Sequence, residues 1–288
     1  EGKDKNIFLN PILRSSKIYY FCQLKKTERG MAEKSEKDLL LYHLDRKIKK
    51  AIESYRLIEN GDCILIGLSG GKDSLALVEL LGKRMKIFSP RFTAIAVHIR
   101  MKNISYKSDT SYLKEHCEQA GIPFLEYTTE FDPENDKRKS PCFLCSWYRR
   151  KAMFSIAKEQ QCNKIALGHH QDDIIQTLLM NMAFQGSFGT MPPRLSMSKF
   201  KMTLIRPLCL IEEKDLLRLS QLSGYIKQEK VCPYEKSSNR TEMKEVLRNL
   251  EKISPQVRNH IWNSMTHIQP EYLPGFIEPD PSKIKADS

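Results

Sequence analysis

No stretch of the 288-residue chain approaches eighteen consecutive apolar residues, so the sequence offers no membrane-spanning helix. Its opening residues, Glu1-Gly2-Lys3-Asp4-Lys5, lack the basic, apolar and small-residue succession of a secretory signal. A cytoplasmic protein without a membrane partner is expected. Internal repeats and low-complexity blocks are also missing, which sets aside repeat architectures. Of eight cysteines only Cys142 and Cys145 lie close together, which argues against a disulfide framework and towards metal binding or catalysis by that pair. Neither a G-x-x-x-x-G-K-[ST] loop nor a G-x-G-x-x-G is present: Gly67 and Gly71 leave three residues between them, and Asp73 stands where a Walker loop has its hydroxyl.

What the chain does have is length and charge. With 40% hydrophobic residues it can bury a full core, and its formal net charge of +12 favours a polyanionic partner through counterion release. Helical patterns alternate with short apolar runs, as in a parallel sheet covered by helices. The expected order is helix 36–58, strand 62–68, helix 74–86, strand 92–99, helix 109–120, strand 123–128, helix 146–160, strand 164–168, helix 171–184, strand 203–206 and helix 212–223. That order predicts an α/β fold, a doubly wound parallel five-stranded sheet with a helical C-terminal appendage. Residues 1–30 read as an extension, 31–60 as an N-terminal helix, 61–225 as the sheet domain, 226–273 as the appendage and 274–288 as a tail. Gln185–Phe200 ("QGSFGTMPPRLSMSKF") is expected to be a long loop.

Two segments carry the chemistry. In "GLSGGKDS", Ser69-Gly70-Gly71-Lys72-Asp73-Ser74 follows an apolar strand and opens a helix, where unpaired backbone N–H groups and the helix dipole make an anion site. In "KIALGHHQDDIIQTL", a short strand leads through Gly168-His169-His170 into a helix with Asp172 and Asp173 in its first turn. Two carboxylates there complement the dipole and cap the helix, or face a ligand crevice at the carboxyl end of a parallel strand. In the second case Asp73 with Asp172 or Asp173 offers hard oxygens for Mg²⁺. The roles of His169 and His170 stay open.

Cys142-Phe143-Leu144-Cys145 is expected in a loop ahead of a helix, one way to bring two thiolates to one metal. Cys232 stands in a turn-like context, whereas Cys63, Cys117, Cys162 and Cys209 read as small buried core residues. Lys137, Arg138, Lys139, Arg149, Arg150 and Lys151 surround the pair with no acidic residue among them, and Phe143, Trp147 and Tyr148 are interleaved. Cations for phosphates and rings for unstacked bases suit a single-stranded RNA loop; a solvated helix face with buried aromatics is the other reading. Arg194 and Arg206 are further candidates for RNA or nucleotide.

S-G-G-K-D-S is the loop of the ATP pyrophosphatases, which this sequence resembles. Together with C-x-x-C, "GHHQDDIIQTL", "MPPRL" and Cys232, it resembles the tRNA 2-thiocytidine synthetase family from about Asp38 to Leu273. The resemblance implies ATP-dependent 2-thiolation of cytidine 32 in the tRNA anticodon loop through an adenylated C2 oxygen. It also implies sulfur delivered at a [4Fe-4S] cluster on Cys142, Cys145 and Cys232, with Lys72, Asp73, Cys142 and Cys145 as catalytic residues and ATP and Mg²⁺ as cofactors. Partners would be tRNA and a sulfur donor such as a cysteine desulfurase, and a homodimer is possible. Family members often show a second C-x-x-C where this chain has Cys232-Pro233-Tyr234-Glu235. A closed zinc site wants four ligands, whereas three thiolates leave one iron of a cubane open. The alternatives are another ATP pyrophosphatase, thiolating a different base or amidating a small molecule, with structural zinc or a redox C-x-x-C. A non-enzymatic RNA-binding or sulfur-carrier protein is the third class, against which Lys72 and Asp73 together argue.

Overall fold

The computed structural model describes residues 35–87, 89–102, 105–106, 110–131, 140–226, 230–231 and 239–274. They group into two compact units, one drawn from Glu1–His170 and Pro193–Pro233, the other from Gln171–Pro192 and Tyr234–Ser288. The division at residue 225 expected from the sequence does not place a helix from the middle of the chain with the C-terminal ones. The tertiary grouping does.

In chain order the elements are α1 (Glu36–Tyr55), β1 (Asp62–Gly67), α2 (Lys72–Met85), β2 (Phe92–Met101), β3 (Ser105–Tyr106), α3 (Ser111–Ala120), β4 (Phe124–Thr129) and α4 (Pro141–Glu159). There follow β5 (Lys164–Ala166), α5 (Gln171–Gln185), β6 (Arg194–Met197), β7 (Met202–Ile205), α6 (Glu213–Leu222), β8 (Lys230–Val231), α7 (Asn239–Ile253) and α8 (Val257–Ser264). The main sheet has the order β4-β2-β1-β5-β7-β6. All its pairings are parallel except β6 with β7.

The α/β class and the parallel sheet agree with the sequence, but the sheet has six strands rather than five. The sixth lies in the expected loop: the one-turn helix Ser198–Phe200 and Lys201 in the left-handed region (φ 49) fold β6 back along β7 as an antiparallel hairpin. Because β6 is a largely exposed edge strand, it lacks the apolar alternation that marks buried strands. A separate two-stranded sheet pairs β3 with β8.

Strand β1 lies inside the sheet, and Ile64, Leu65 and Ile66 are all fully buried, the continuous apolar run of a strand covered on both faces. Leu65 joins Val97, Ile165, Ile156 and Ala157 in a cluster beneath α4. By the two-residue alternation of a strand, Ile64 and Ile66 face the other layer. Helices α2 and α3 meet so closely there that a Cβ on Gly82 would lie 2.4 Å from the Ala120 carbonyl oxygen. Since β1 pairs with β2 on one side and β5 on the other, the strand order reverses between β1 and β5. Ligands in open α/β sheets bind beyond the carboxyl ends of strands at such a reversal.

The second unit is helical, with α5, α7 and α8 packed together. Met243 and Leu247 of α7 are buried there, along the apolar side of an otherwise charged helix.

Candidate nucleotide-binding site

The loop after β1 is anchored to the neighbouring strand β2. The Leu68 amide donates to the Val97 carbonyl at 2.9 Å, and His98 Nδ1 lies 2.7 Å from the Leu68 carbonyl, which assigns the ring proton to Nδ1. Burial above all pushes the His98 pKa down; Arg149 and Arg100 push the same way against the Leu68 carbonyl and Glu126. The loop therefore leaves the sheet on a neutral histidine.

Gly70 takes φ 81, a conformation glycine adopts without strain, and Gly71 caps α2 with no side-chain hydrogen bond of its own. A Cβ on Gly71 would meet only Ser69 Oγ within 4 Å, so this side of the loop opens onto space. Ser69 Oγ donates to Ser74 Oγ at 3.1 Å, and Ser74 Oγ donates to the Gly71 carbonyl at 2.9 Å, which closes the turn on itself. The helix start thus presents amides to an anion.

Lys72 Nζ lies 3.0 Å from Asp73 Oδ1 and 3.5 Å from Glu213 Oε1, the latter on the first turn of α6. Burial lowers the Lys72 pKa, but Asp73 and Glu213 outweigh it and the net direction is upward. Its charge is secure at neutral pH. Asp73 Oδ1 is buried and receives no hydrogen bond, although it stands within ion-pair range of Lys72 and is 4.0 Å from His170 Nε2. An acceptor oxygen with unused hydrogen-bonding capacity beside a phosphate cradle suits a hard cation.

The loop after β5 approaches this turn. A Cβ on Gly168 would sit 3.2 Å from the backbone of Asp73 and Ser74, closer than most such contacts, so glycine allows the two strand ends to meet. His169 Nδ1 accepts from Arg206 Nε at 3.3 Å; Arg206 is buried, and burial lowers its pKa. The structure thus brings Ser69–Ser74, Gly168 and His170 together. It adds Glu213, which the sequence reading missed because nothing in "IEEKD" marks a carboxylate that meets a lysine 141 positions away.

Asp172 and Asp173 lie in the other unit, in the first turn of α5. Each carries an arginine there: Arg258 donates to Asp172 and also to Glu251, and Arg240 donates to Asp173 at 2.9 Å. Neither arginine could be singled out within a charged helical tail.

Cys142 and Cys145 are not in a loop but in the first turn of α4, a correction with a local cause. Ser140 is the N-cap and accepts from the Phe143 amide at 3.3 Å, and Pro141 occupies the first helical position, so the helix begins five residues earlier than periodicity suggests. Three residues apart on one turn, the two sulfurs share a face, Cys142 exposed and Cys145 half-buried, where the helix dipole favours thiolates. Two thiols on one helix face, one of them exposed, fit an iron–sulfur cluster. Cys232 and the basic residues Lys137, Arg138 and Lys139 lie outside the described residues.

On the same helix Trp147 is exposed, packs edge-on against Tyr148 at 4.9 Å and lies 5.4 Å beneath Lys151 Nζ. Arg150 is exposed, while Arg149 is half-buried and close enough to influence His98. Arg194 is exposed on β6 rather than in a loop.

A strand-end glycine turn opening a helix, with a charged lysine paired to an adjacent carboxylate, has the chemistry of a phosphate cradle, and residues 40–257 match the PP-loop domain family. The chain is 35% identical over 255 residues to a tRNA-cytidine(32) 2-sulfurtransferase of Paraburkholderia phytofirmans, covering 86% of this chain and 74% of that protein. It is 34% identical over 242 residues to one of Geotalea uraniireducens, covering 82% and 95%. Among solved structures it is similar to the U34-tRNA thiolase NcsA from Methanococcus maripaludis with its [4Fe-4S] cluster, with TM-score 0.64, 27% identity and 81% coverage of each chain. The chain belongs to the tRNA-cytidine(32) 2-sulfurtransferase family of PP-loop proteins.

Proposed function

We propose that the chain uses ATP to replace the C2 oxygen of cytidine 32 in tRNA by sulfur. The observation that carries this reading is the open helix start at Gly71 with Lys72 held beside it, in a chain of this family. Residues Ser69 to Ser74 grip the pyrophosphate portion of ATP, with Gly168 and His169 alongside. The cytidine C2 oxygen attacks the α-phosphorus, the bond to pyrophosphate breaks, and Lys72 offsets the charge that develops on the leaving group. Sulfide then attacks C2 and AMP departs.

Asp73 supplies an oxygen for Mg²⁺. We place the cation on Asp73 rather than Asp172, whose carboxylate Arg258 already engages. Cys142, Cys145 and Cys232 hold a [4Fe-4S] cluster, which when bound supplies an iron able to carry sulfide. Trp147, Arg150 and Arg194, with Lys137, Arg138 and Lys139, contact the RNA; Arg149 contributes from its half-buried place. A cysteine desulfurase provides the sulfur in the cytoplasm, and two chains can assemble as a homodimer.

The test is incubation of anaerobically purified protein, its iron, sulfide and zinc measured, with ATP, sulfide and unmodified tRNA. The expected result is thiolated cytidine at position 32 with one AMP released per base. Colourless protein with stoichiometric zinc would sink the cluster assignment, and ATP cleavage indifferent to RNA would favour an amidating enzyme instead.

A further inference from the structure

Away from the phosphate loop, the structure joins two cysteines separated by 99 positions. Cys63 is the second residue of β1, and Cys162 follows the turn that ends α4. Gln161 in the left-handed region (φ 55) reverses the chain there, and the Cys162 amide returns to the Ala157 carbonyl at 2.8 Å. Asn163 then clamps this turn to the strand: its Oδ1 accepts from the Cys63 amide and its own amide donates to the Cys63 carbonyl, both at 3.0 Å. The two sulfurs are left 2.9 Å apart, within about 1 Å of disulfide bonding distance.

Access to the pair is unequal. Cys162 lies in the core cluster with Leu65, Ile156 and Ala157, whereas Cys63 is half-buried and packs only against its margin. Burial first, and Cys63 second, pushes the Cys162 thiol up to about 12, which keeps it from reacting with solvent oxidants on its own. Cys63 is the sulfur a small oxidant reaches.

We propose that Cys63 and Cys162 are a redox modification site that takes a peroxide as oxidant and closes to a disulfide. The Cys63 sulfur attacks one peroxide oxygen, the O–O bond breaks, and sulfenic acid and one water result. The Cys162 sulfur then attacks the Cys63 sulfur as its proton is lost; the S–O bond breaks, S–S forms, and a second water leaves. Two thiols and one hydrogen peroxide give one disulfide and two waters. A small dithiol reverses the reaction from the Cys63 side by exchange.

The bond would tie the start of the strand that leads to the phosphate loop to the far end of the helix whose first turn carries Cys142 and Cys145. Along α4 that far end lies on the order of 20 Å from the first turn, at 1.5 Å per residue. The modification is therefore separable from any chemistry at Cys142 and Cys145.

The test treats the folded protein with a small molar excess of hydrogen peroxide, enough to carry an unresolved sulfenic acid on to sulfinic acid, blocks remaining thiols with N-ethylmaleimide and maps unreduced peptides by mass spectrometry. The expected outcome is joint loss of maleimide labelling at Cys63 and Cys162, with a Cys63–Cys162 cross-linked peptide that dithiothreitol abolishes. In C162S, Cys63 proceeds to sulfinic acid; in C63S, Cys162 stays reduced. Wild-type protein in which both thiols remain alkylatable, Cys63 stops as sulfinic acid, or Cys63 pairs with another cysteine overturns the proposal without recourse to either variant.

Discussion

The starts of α2 and α4 make an instructive pair, because both are helix N-termini to which chemistry is assigned and they are built in opposite ways. At α2 the cap is Gly71, with no side chain to occupy the first amides, and the charged groups around it, Lys72, Asp73 and Glu213, are drawn into one ion-paired group. At α4 the cap is Ser140, whose hydroxyl takes the Phe143 amide, and what the first turns present is two thiols, Cys142 exposed and Cys145 half-buried, and the exposed Trp147 ring. One helix start keeps its backbone for a ligand; the other satisfies its backbone and presents side chains. A phosphate group needs the first arrangement, since amides give it several donors at fixed positions, and a soft metal centre needs the second.

The largest effect expected from breaking this contrast is at Lys72. Lys72→Ala removes the cation at the leaving group and should cut AMP release by about a hundredfold or more, mainly in kcat. Thiolation at full rate would mean that the loop does not serve adenylation. Next is Gly168→Ala, whose added methyl must push against the Asp73 and Ser74 backbone. A cost of about 1–3 kcal/mol is typical of overpacking, and weaker ATP binding in calorimetry is expected with iron content unchanged.

At the other helix, Ser140→Ala should lower stability by about 1 kcal/mol through loss of the cap, read as a fall in denaturation midpoint. The comparison predicts that this variant loses iron more readily while its ATP affinity holds. Equal damage to both properties would show that the two helix starts are not independent. The smallest effect concerns pH. His98 has its pKa lowered by folding, so its contribution to stability is complete above the unfolded value, about 6.5, and is lost as pH falls towards the folded one. Thermal midpoints measured from pH 7.5 to 5 should decline, and His98→Gln should flatten part of that decline.

Much of the α2 site was legible in one dimension, because a strand, a glycine turn and a helix start are contiguous and the side-chain hydrogen bonds that close the turn, Ser69 to Ser74 and Ser74 to Gly71, span five residues or fewer. The helix start at Pro141 was less legible: a serine cap and a proline at the first helical position are local signals, but the helical pattern read along the chain begins only at Ser146. Strand β6 was not legible, since an exposed edge strand has no apolar alternation to betray it.

By itself, then, the sequence determined the elements whose causes are local: the apolar run of β1, the positive-φ turn at Gly70, and the family motifs strung along them. Tertiary structure alone decided which distant groups meet. Glu213 stands against Lys72, Arg206 against His169, Arg258 against Asp172 and Cys63 against Cys162, across 141, 37, 86 and 99 positions respectively. Such pairings depend on strand order and helix packing, and no spacing along a chain encodes them.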